Sequence, residues 1–341
     1  MVEEIPAYEP SGTGEHLYLW IEKRDLPHDL LLRHIAKTLN LPPGDIGTAG
    51  IKDRRAVTRQ FVSVPAKYAS LIEQLQTPDL RVIYAKQHGN KLRTGHLRGN
   101  RFSIVVRDVH HDAAELAQPI SQRLTATGFP NYYGDQRFGF DRQTLTLGKD
   151  LLSGRQTPRD IPYQKRKFLL RLSLSAVQSE LFNQALANRL NDNLFSTVLN
   201  GDVMEVVATG GKFLVEDVLK EQTRFDAGEI AVTGPMFGVS MLATTGDAHA
   251  REQRLLAESD VKLEDFAQYA KLLSGSRRAL QIRPAGLSVT KCETGLRFEF
   301  TLPSGVYATT LLREFMKASD PAPESNSTNS ASLEQESTDD D

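Results

Sequence analysis

The sequence predicts an α+β fold, and three observations support this prediction. Some segments alternate apolar and polar residues as half-buried strands do, others repeat apolar residues at helical spacing, and the two kinds follow one another without a regular strand–helix–strand rhythm. The chain has 341 residues, of which 40% are hydrophobic and 25% are charged, so it can form two domains with cores of ordinary size.

The strand and helix patterns can be followed in order along the chain. The segments with the pattern of strands are 15–23, 59–64, 101–109, pieces of 203–215, 229–233 and 296–302. The segments with the pattern of helices are 28–40, 112–126, 175–192, 248–272 and 307–317. The clearest strand is 296–302, where apolar residues alternate strictly with Arg297, Glu299 and Thr301. We expect Pro119 to bend or shorten the helix that contains it, because proline disrupts a helix interior.

The pattern of the sequence changes between about Gly154 and Arg278. A segment rich in basic residues there precedes the pattern of a long helix and those of several short strands. The strongest strand patterns lie on either side of this stretch, which indicates an insertion and not a C-terminal addition. We therefore predict one domain from 1–153 and 281–318, and an inserted domain over 154–280. Residues 319–341 are acidic and almost devoid of apolar residues, so we expect a disordered tail.

The formal net charge of −2 conceals an uneven distribution. The predicted tail holds seven acidic residues and no lysine or arginine, so the rest of the chain has 41 basic and 36 acidic residues and carries about +5. The stretch 81–107 contains seven basic residues and no acid. Within it, Lys91, Arg93 and Arg98 are candidate contacts to an RNA backbone, although a solvated surface would have the same composition.

Several classes of protein are disfavoured by what the sequence lacks. HExxH, CxxC and GxSxG patterns are absent, and the histidines show no spacing that would place two metal ligands on one helix face, so we predict no metal site. The single cysteine is typical of a reducing compartment, and we expect a cytoplasmic protein. No stretch reaches the roughly 18 apolar residues of a membrane span, so no membrane contact is predicted.

The segment Gly47 to Gln60, GTAGIKDRRAVTRQ, is the main candidate for chemistry. A glycine-rich turn presents Lys52, Asp53 and two arginines just before a strand. An aspartate in such a turn is more often a turn or cap residue than a catalyst. The residue type and its spacing alone therefore do not assign a function to Asp53.

Four segments together carry a resemblance to a known family. They are EPSGTGEHLYLWIEK at 9–23, GTAGIKDRRAVTRQ at 47–60, NYYGDQRFG at 131–139 and LPSGVYATTLLRE at 302–314. These segments, in this order, resemble the motifs of TruD-family tRNA pseudouridine synthases. The resemblance extends over almost all of the chain from Ile5 to Lys317.

The resemblance implies both a fold and an activity. The fold would be a pseudouridine-synthase-like catalytic domain, with a mixed and largely antiparallel sheet flanked by helices, and a smaller inserted α/β domain. The activity would be the isomerisation of uridine to pseudouridine in tRNA, with uridine 13 of the D-arm as the expected target. No cofactor is expected because the reaction is an isomerisation. The partner would be tRNA; no protein partner is implied, and a monomer is the default.

The resemblance also assigns site residues. It places the essential carboxylate at Asp53, gives Asn131 and Tyr307 as uridine-contacting residues, and gives Tyr133 as an aromatic of the pocket. The family usually has Phe where this chain has Tyr133 and Tyr307, so the π-face is kept and a hydroxyl that needs a partner is added.

These assignments agree with the physical demands of the reaction. A carboxylate could attack or stabilise the sugar C1′, or remove a proton from the sugar, and the sequence does not choose between these roles. Lys52 could favour the charged form of the Asp53 carboxylate and bind phosphate. Arg137 could pair with a carboxylate or with a phosphate. Phe138 and Tyr132 in the same loop are better interpreted as core residues.

Two alternatives remain open on the sequence alone. The family usually has a K-x-x-P-E-D-F-x-V-x-E segment ahead of the stretch that corresponds to EIPAYEPSG here, and this chain begins after that segment, so it would lack a strand, a pocket aromatic and a lysine near the catalytic aspartate. One alternative is therefore a catalytically impaired RNA-binding protein. The other is an unrelated cofactor-independent hydrolase that pairs Asp53 with a second carboxylate such as Glu15, which would require the two carboxylates about 5 to 10 Å apart.

Overall fold

The structure is a computed structural model and describes residues 1–259 and 261–316. The predicted acidic tail, 319–341, lies outside the described residues. The described strands are β1 (Val2–Pro6), β2 (His16–Arg24), β3 (Gly47–Thr48), β4 (Val57–Pro65), β5 (Leu80–His88), β6 (Leu97–Arg107), β7 (Phe129–Pro130), β8 (Val203–Val206), β9 (Lys212–Leu214), β10 (Ile230–Met236), β11 (Ser276–Ala279), β12 (Gln281–Ile282), β13 (Ala285–Cys292) and β14 (Gly295–Pro303).

The described helices are α1 (His28–Leu39), α2 (Ala113–Thr127), α3 (Gln143–Leu152), α4 (Arg166–Asn191), α5 (Val218–Asp226), α6 (Gly246–Glu258), α7 (Leu263–Ala267) and α8 (Ala308–Met316). Helix α2 continues through Pro119, so the predicted shortening was wrong. Helix α4 begins at Arg166 and thus includes residues that the sequence pattern left outside the predicted helix at 175–192.

Contacts within the chain divide it into two compact units. Unit 1 comprises Met1–Gln122 and Pro284–Ala308, and unit 2 comprises Arg123–Arg283 together with the described residues from Thr309 onward. The chain leaves unit 1 and later returns to it, as an insertion requires. The predicted domain boundaries near 154 and 280 stay a prediction.

Unit 1 is built on an eight-stranded sheet with the order β13-β14-β6-β1-β4-β2-β5, and β3 pairs with β4 beside this path. Strands β1 and β4 are parallel, whereas the other pairs are antiparallel. The predicted α+β class with a mixed, largely antiparallel sheet flanked by helices is confirmed. Strand β1 was not predicted, because it contains few apolar residues and is held mainly by its two neighbours.

Helix α1 covers one face of this sheet with three of its apolar residues, whereas Leu30, which the helical pattern grouped with them, is 45% exposed. Leu31, Ile35 and Leu39 pack with the inward side chains of β2, and all of them are buried. Burial of each such side chain contributes about 1.5–3 kcal/mol. The helix ends at Leu39, where Asn40 takes the left-handed conformation with φ 49°.

Unit 2 combines helices with a four-stranded sheet of order β11-β10-β8-β9 and a two-stranded pair β12-β7. Its long helix α4 buries Leu174, Val177 and Leu181 in the core. Helix α3 approaches α4 closely at Gly148, where any added Cβ would collide with the carbonyl of Ser173. Among the described residues, no helix has the length and apolar character needed to cross a membrane.

Candidate active site

Asp53 lies in unit 1 on the loop that joins β3 to β4, which we call the Asp53 loop (residues 49–56). Gly47, at the start of β3, has no room for a side chain, because an added Cβ would collide with the carbonyl of Leu92. The side chain of Asp53 is exposed. Within the part of the chain that the structure describes, no cation lies within 4.0 Å of its carboxylate. The loop thus presents an accessible carboxylate.

Lys52 is oriented away from solvent, although it precedes an exposed residue. Its ammonium group bonds to Glu4 Oε2 of β1 at 2.7 Å, and both side chains are almost fully buried, at 4% and 1% exposure. The other oxygen of Glu4 accepts a hydrogen bond from the backbone N–H of Phe61 at 3.2 Å. The pair therefore ties the Asp53 loop to two strands of the sheet, and the predicted contact of Lys52 with the substrate stays a prediction.

Lys23, on strand β2, binds the backbone of the Asp53 loop. It is fully buried, and its ammonium donates to the carbonyls of Leu26 at 2.7 Å, Asp53 at 2.9 Å and Lys52 at 3.3 Å. Burial is the main cause that lowers the pKa of Lys23; the charge of Asp53 raises that pKa and the charge of Lys52 lowers it. Three carbonyls use all three donors of an ammonium group, so Lys23 fixes the loop by directional bonds.

His28, at the start of α1, is affected by these two cations. Burial is the largest cause that lowers its pKa below the ordinary 6.5, and the positive charges of Lys23 and Lys52 lower it further. Arg54, in contrast, pairs with Asp25 at 3.5 Å at the surface, with both side chains more than half exposed. A pair this exposed contributes little to stability.

Three other predicted residues of unit 1 are on its surface, and a fourth, Lys91, is half-buried. Tyr307 lies between β14 and α8 with 41% of its surface exposed. In the basic stretch, Arg93 and Arg98 are exposed, and among the described residues no carboxylate lies within 4.0 Å of either. The half-buried Lys91 donates to the carbonyl of Gly44. The stretch is thus accessible to a ligand, and its role in RNA binding stays a prediction.

The predicted residues Asn131, Tyr133 and Arg137 lie in unit 2. Asn131 is only 3% exposed, and both ends of its amide are bonded. Its Nδ2 donates to the carbonyl of Ala279 at 2.8 Å, and its Oδ1 accepts from Arg278 Nη2 at 2.7 Å. The orientation of this amide is therefore fixed by strand β11.

Tyr133 is held on several sides. Its backbone N–H and carbonyl both bond to the side chain of Asn183 at 2.9 Å. The guanidinium of Arg278 lies over its ring, with 4.2 Å between Cζ and the ring centroid, and Arg137 lies at 5.6 Å. The hydroxyl, which phenylalanine would lack, points to the sulfur of Met236 at 3.7 Å. We refer to Asn131, Tyr133 and Arg278 as the Tyr133 cluster.

Phe138 and Tyr132 of this loop have the structural roles that were predicted for them, whereas the predicted pairing of Arg137 with a carboxylate or a phosphate stays a prediction. Phe138 is 2% exposed and belongs to the core of unit 2, and Tyr132 packs partly buried against that core. Arg137 donates to Ser179 Oγ of α4 at 3.1 Å.

Among the described residues, only His110, His111 and Asp112 bring three possible metal ligands within 4.8 Å of one another, and all three are exposed.

Glu4, Lys23 and Arg278 were not predicted from the sequence. For Lys23 a sequence pattern was available, because the inward positions of β2 run Leu17, Leu19, Ile21 and then Lys23. A lysine on the apolar side of an alternating strand predicts a buried and therefore bonded cation. Arg278 had no such pattern, since it lies in a short strand beside another arginine.

Comparison with known proteins gives a consistent result. The model of the family "tRNA pseudouridine synthase D (TruD)" matches residues 1–157 and 164–315. The chain is 43% identical over 325 residues to tRNA pseudouridine synthase D of Anaeromyxobacter dehalogenans, covering 95% of this chain and 92% of that protein. It is 41% identical over 336 residues to the protein of the same name from Thermus thermophilus, covering 95% and 90%.

A solved structure is similar in fold. It is a crystal structure from Methanosarcina mazei, provisionally assigned to tRNA pseudouridine synthase D (TruD), with a TM-score of 0.74 and 24% sequence identity. The similarity covers 93% of this chain and 91% of that chain.

Proposed function

Because the chain belongs to the tRNA pseudouridine synthase D (TruD) family, we propose that it isomerises uridine to pseudouridine in tRNA, with Asp53 as the catalytic carboxylate. Uridine 13 of the D-arm is the proposed target, and a cytoplasmic monomer is the proposed form. The observation that carries this proposal is the Asp53 loop, in which an exposed carboxylate stands on a backbone fixed by buried cations. A carboxylate held in this way loses little freedom when substrate binds.

The reaction makes modest demands on the protein. The bond from N1 of uracil to C1′ breaks, the base turns, and C5 bonds to C1′; the proton lost from C5 is balanced by one gained at N1, so no atom is added or removed. Asp53 stabilises the electron-deficient sugar either by bonding to C1′ or by removing a proton from the sugar. The charge of Asp53 raises the pKa of Lys23, because the two charges attract each other. Lys52 acts in this proposal through the position of the loop.

The target base must be taken out of its stack to be reached. We assign this task to the residues of the matching motifs, namely Asn131, Tyr133, Arg137 and Tyr307. Tyr307 has an accessible ring for stacking. Tyr133 and Asn131 are fixed by Arg278, as residues that must recognise one base would need to be. Lys91, Arg93 and Arg98 are the proposed contacts to the RNA backbone.

The test is pseudouridine mapping on an unmodified tRNA transcript, by carbodiimide labelling and primer extension, with wild-type protein and Asp53→Asn. The substitution removes the charge and keeps the shape, so we expect the D-arm stop to disappear while tRNA affinity changes less than about twofold, since exposed single charges contribute little. Asp45→Asn, the same change at another exposed residue of unit 1, is the matched control and should stay active. Pseudouridine formation by Asp53→Asn would exclude the mechanism, and a stop outside the D-arm would exclude uridine 13.

A further inference from the structure

The turn before α4 combines an exposed aromatic ring with exposed cations. Tyr163 has 84% of its surface exposed. Arg159, Lys165, Lys167 and Arg171 are exposed around it in sequence. Among the described residues, no carboxylate lies within 4.0 Å of any of these four cations, although Arg155 nearby pairs with Asp150 at 2.7 Å. We call Tyr163 and the four cations the Tyr163 platform.

The backbone under the platform is fixed in three ways. Ile161 is 3% exposed and inserts into the core of unit 2. The carboxylate of Asp160 accepts hydrogen bonds from the N–H and the hydroxyl of Thr157 at 2.7 and 2.9 Å. The acid of this turn is therefore bonded within the turn and not to the neighbouring cations. Arg166 donates to the carbonyls of Ile161 and Arg159 at 3.2 and 3.4 Å. Tyr163 therefore stands on an ordered turn and not on a loose loop.

The exposure of Tyr163 has no explanation in the folding of unit 2. A large ring so exposed buries almost no apolar area, and its described ring contact is Arg166, with Cζ 5.5 Å from the centroid. The cations also do not stabilise the free protein. Lys167 and Arg171 are one helical turn apart and repel each other, and the first turn of α4 contains no acid to balance its dipole.

We propose that the Tyr163 platform binds the tRNA substrate outside the target nucleotide, with the cations on phosphates and the Tyr163 ring stacked on an unpaired base. Cations that follow a backbone and an aromatic ring that accepts any base are the two components of single-stranded RNA recognition. A membrane surface fits less well, because the apolar residues of α4, such as Leu174 and Val177, are buried in the core. The match to the family model leaves out residues 158–163, which include Tyr163.

This inference rests on the proposed tRNA substrate, and its test separates the two. The affinity for the tRNA transcript is measured at several salt concentrations for wild type, for Tyr163→Ala, and for the triple variant Arg159→Gln, Lys165→Gln, Lys167→Gln. The control is a second triple variant, Lys220→Gln, Lys262→Gln, Lys271→Gln. It removes the same amount of charge from three exposed lysines elsewhere in unit 2. Melting temperatures check that every variant is folded.

Each variant has its own expected result. Tyr163→Ala should weaken binding about 5- to 150-fold with an unchanged salt slope, because stacking on a base is worth about 1–3 kcal/mol and involves no counterion. The platform triple variant should reduce the slope of log Kd against log salt by about 2 to 3, as the loss of three phosphate contacts predicts. The second triple variant should change neither quantity by more than a small fraction of this.

The outcomes distinguish the two proposals. If both triple variants bind alike and Tyr163→Ala binds as wild type does, the platform does not contact tRNA and the inference is wrong. If wild type binds tRNA through the platform but forms no pseudouridine in the mapping assay, the inference holds and the proposed activity fails. Single-turnover rates at saturating enzyme should be unchanged in Tyr163→Ala, since the platform contributes to binding and not to the chemical step.

Discussion

The cations that support the candidate site residues are held in different ways in the two units. In unit 1, Lys23 and Lys52 are held by oxygens, from three backbone carbonyls in one case and from the carboxylate of Glu4 in the other. In unit 2, Arg278 lies with its plane over the ring of Tyr133 and donates to the amide of Asn131. The lysines therefore position a stretch of backbone, whereas the arginine positions side chains. An ammonium suits the first task because its three rotatable donors can reach separate oxygens, and a planar guanidinium suits the second because it can stack and bond at once.

We expect the largest effect in unit 1, when one partner of the buried Lys52–Glu4 pair is removed. Lys52→Met leaves the carboxylate of Glu4 buried without its cation, which should lower the free energy of unfolding by about 3–5 kcal/mol. The double variant Glu4→Gln, Lys52→Met should recover part of this loss, because no uncompensated charge remains. Urea unfolding of the single and double variants measures the coupling.

Arg54→Met is the control for that experiment. Its pair with Asp25 is exposed, so its loss should cost less than about 1 kcal/mol. If Lys52→Met were as stable as Arg54→Met, the buried pair would not hold the Asp53 loop.

A smaller effect is expected in unit 2, where Arg278→Lys keeps the charge and removes the planar group. The stacking on Tyr133 contributes about 0.5–2 kcal/mol and the bond to Asn131 a comparable amount, so we expect pseudouridine formation to slow about 10- to 100-fold. Single-turnover kinetics provide the measurement, and the melting temperature checks the fold. Arg283→Lys, an arginine of the same unit that bonds only to the carbonyls of Phe225 and Asp226 among the described groups, should retain its rate. Full activity of Arg278→Lys would show that charge alone is enough there.

We expect the smallest effect on the pH dependence of stability, through His28 in unit 1. Because burial and the two lysines lower the pKa of His28 below 6.5, the unfolded chain takes up this proton first on acidification. The stability contributed by neutral His28 is complete above pH 6.5 and is lost as the pH falls through the native pKa. His28→Gln should therefore flatten the dependence of unfolding free energy on pH below 6.5, whereas His249→Gln, at an exposed position of unit 2, should not. Equal slopes for the two variants would contradict a buried His28 beside cations.

The sequence predicted elements best where the residues of one element determine its burial. Helix α1 and strands β2, β4, β6 and β14 were all anticipated, since their own periodicity marks the buried face. Strand β1 was missed because its position depends on pairing with β4 and β6, which is information from distant residues. The start of α4 was missed for the opposite reason, because its exposed cations resemble a loop while Leu169 and Leu170 beneath them pack on the core.

The candidate site shows the same limit. The position of Asp53 on a loop before a strand followed from local sequence. The partners that fix this loop, Glu4 and Lys23, lie far away in the chain and meet it only through the sheet. The same holds for Arg278, which reaches Asn131 across 147 positions. Resemblance to a family could name residues of the motifs, but only the fold shows which other side chains support them.

The pairing of β6 with β14 also has a consequence for synthesis of the protein. Residues Arg123–Arg283 of unit 2 lie between them in the chain, so the ribosome must make this stretch before the sheet of unit 1 can be completed. At about 5–20 residues per second this takes roughly 10 to 40 s, during which one edge of β6 has no partner. Exposed strand edges invite aggregation, and charged side chains discourage it. Arg98, Arg101 and Arg107 all lie on β6, so they can protect the nascent chain before RNA is present.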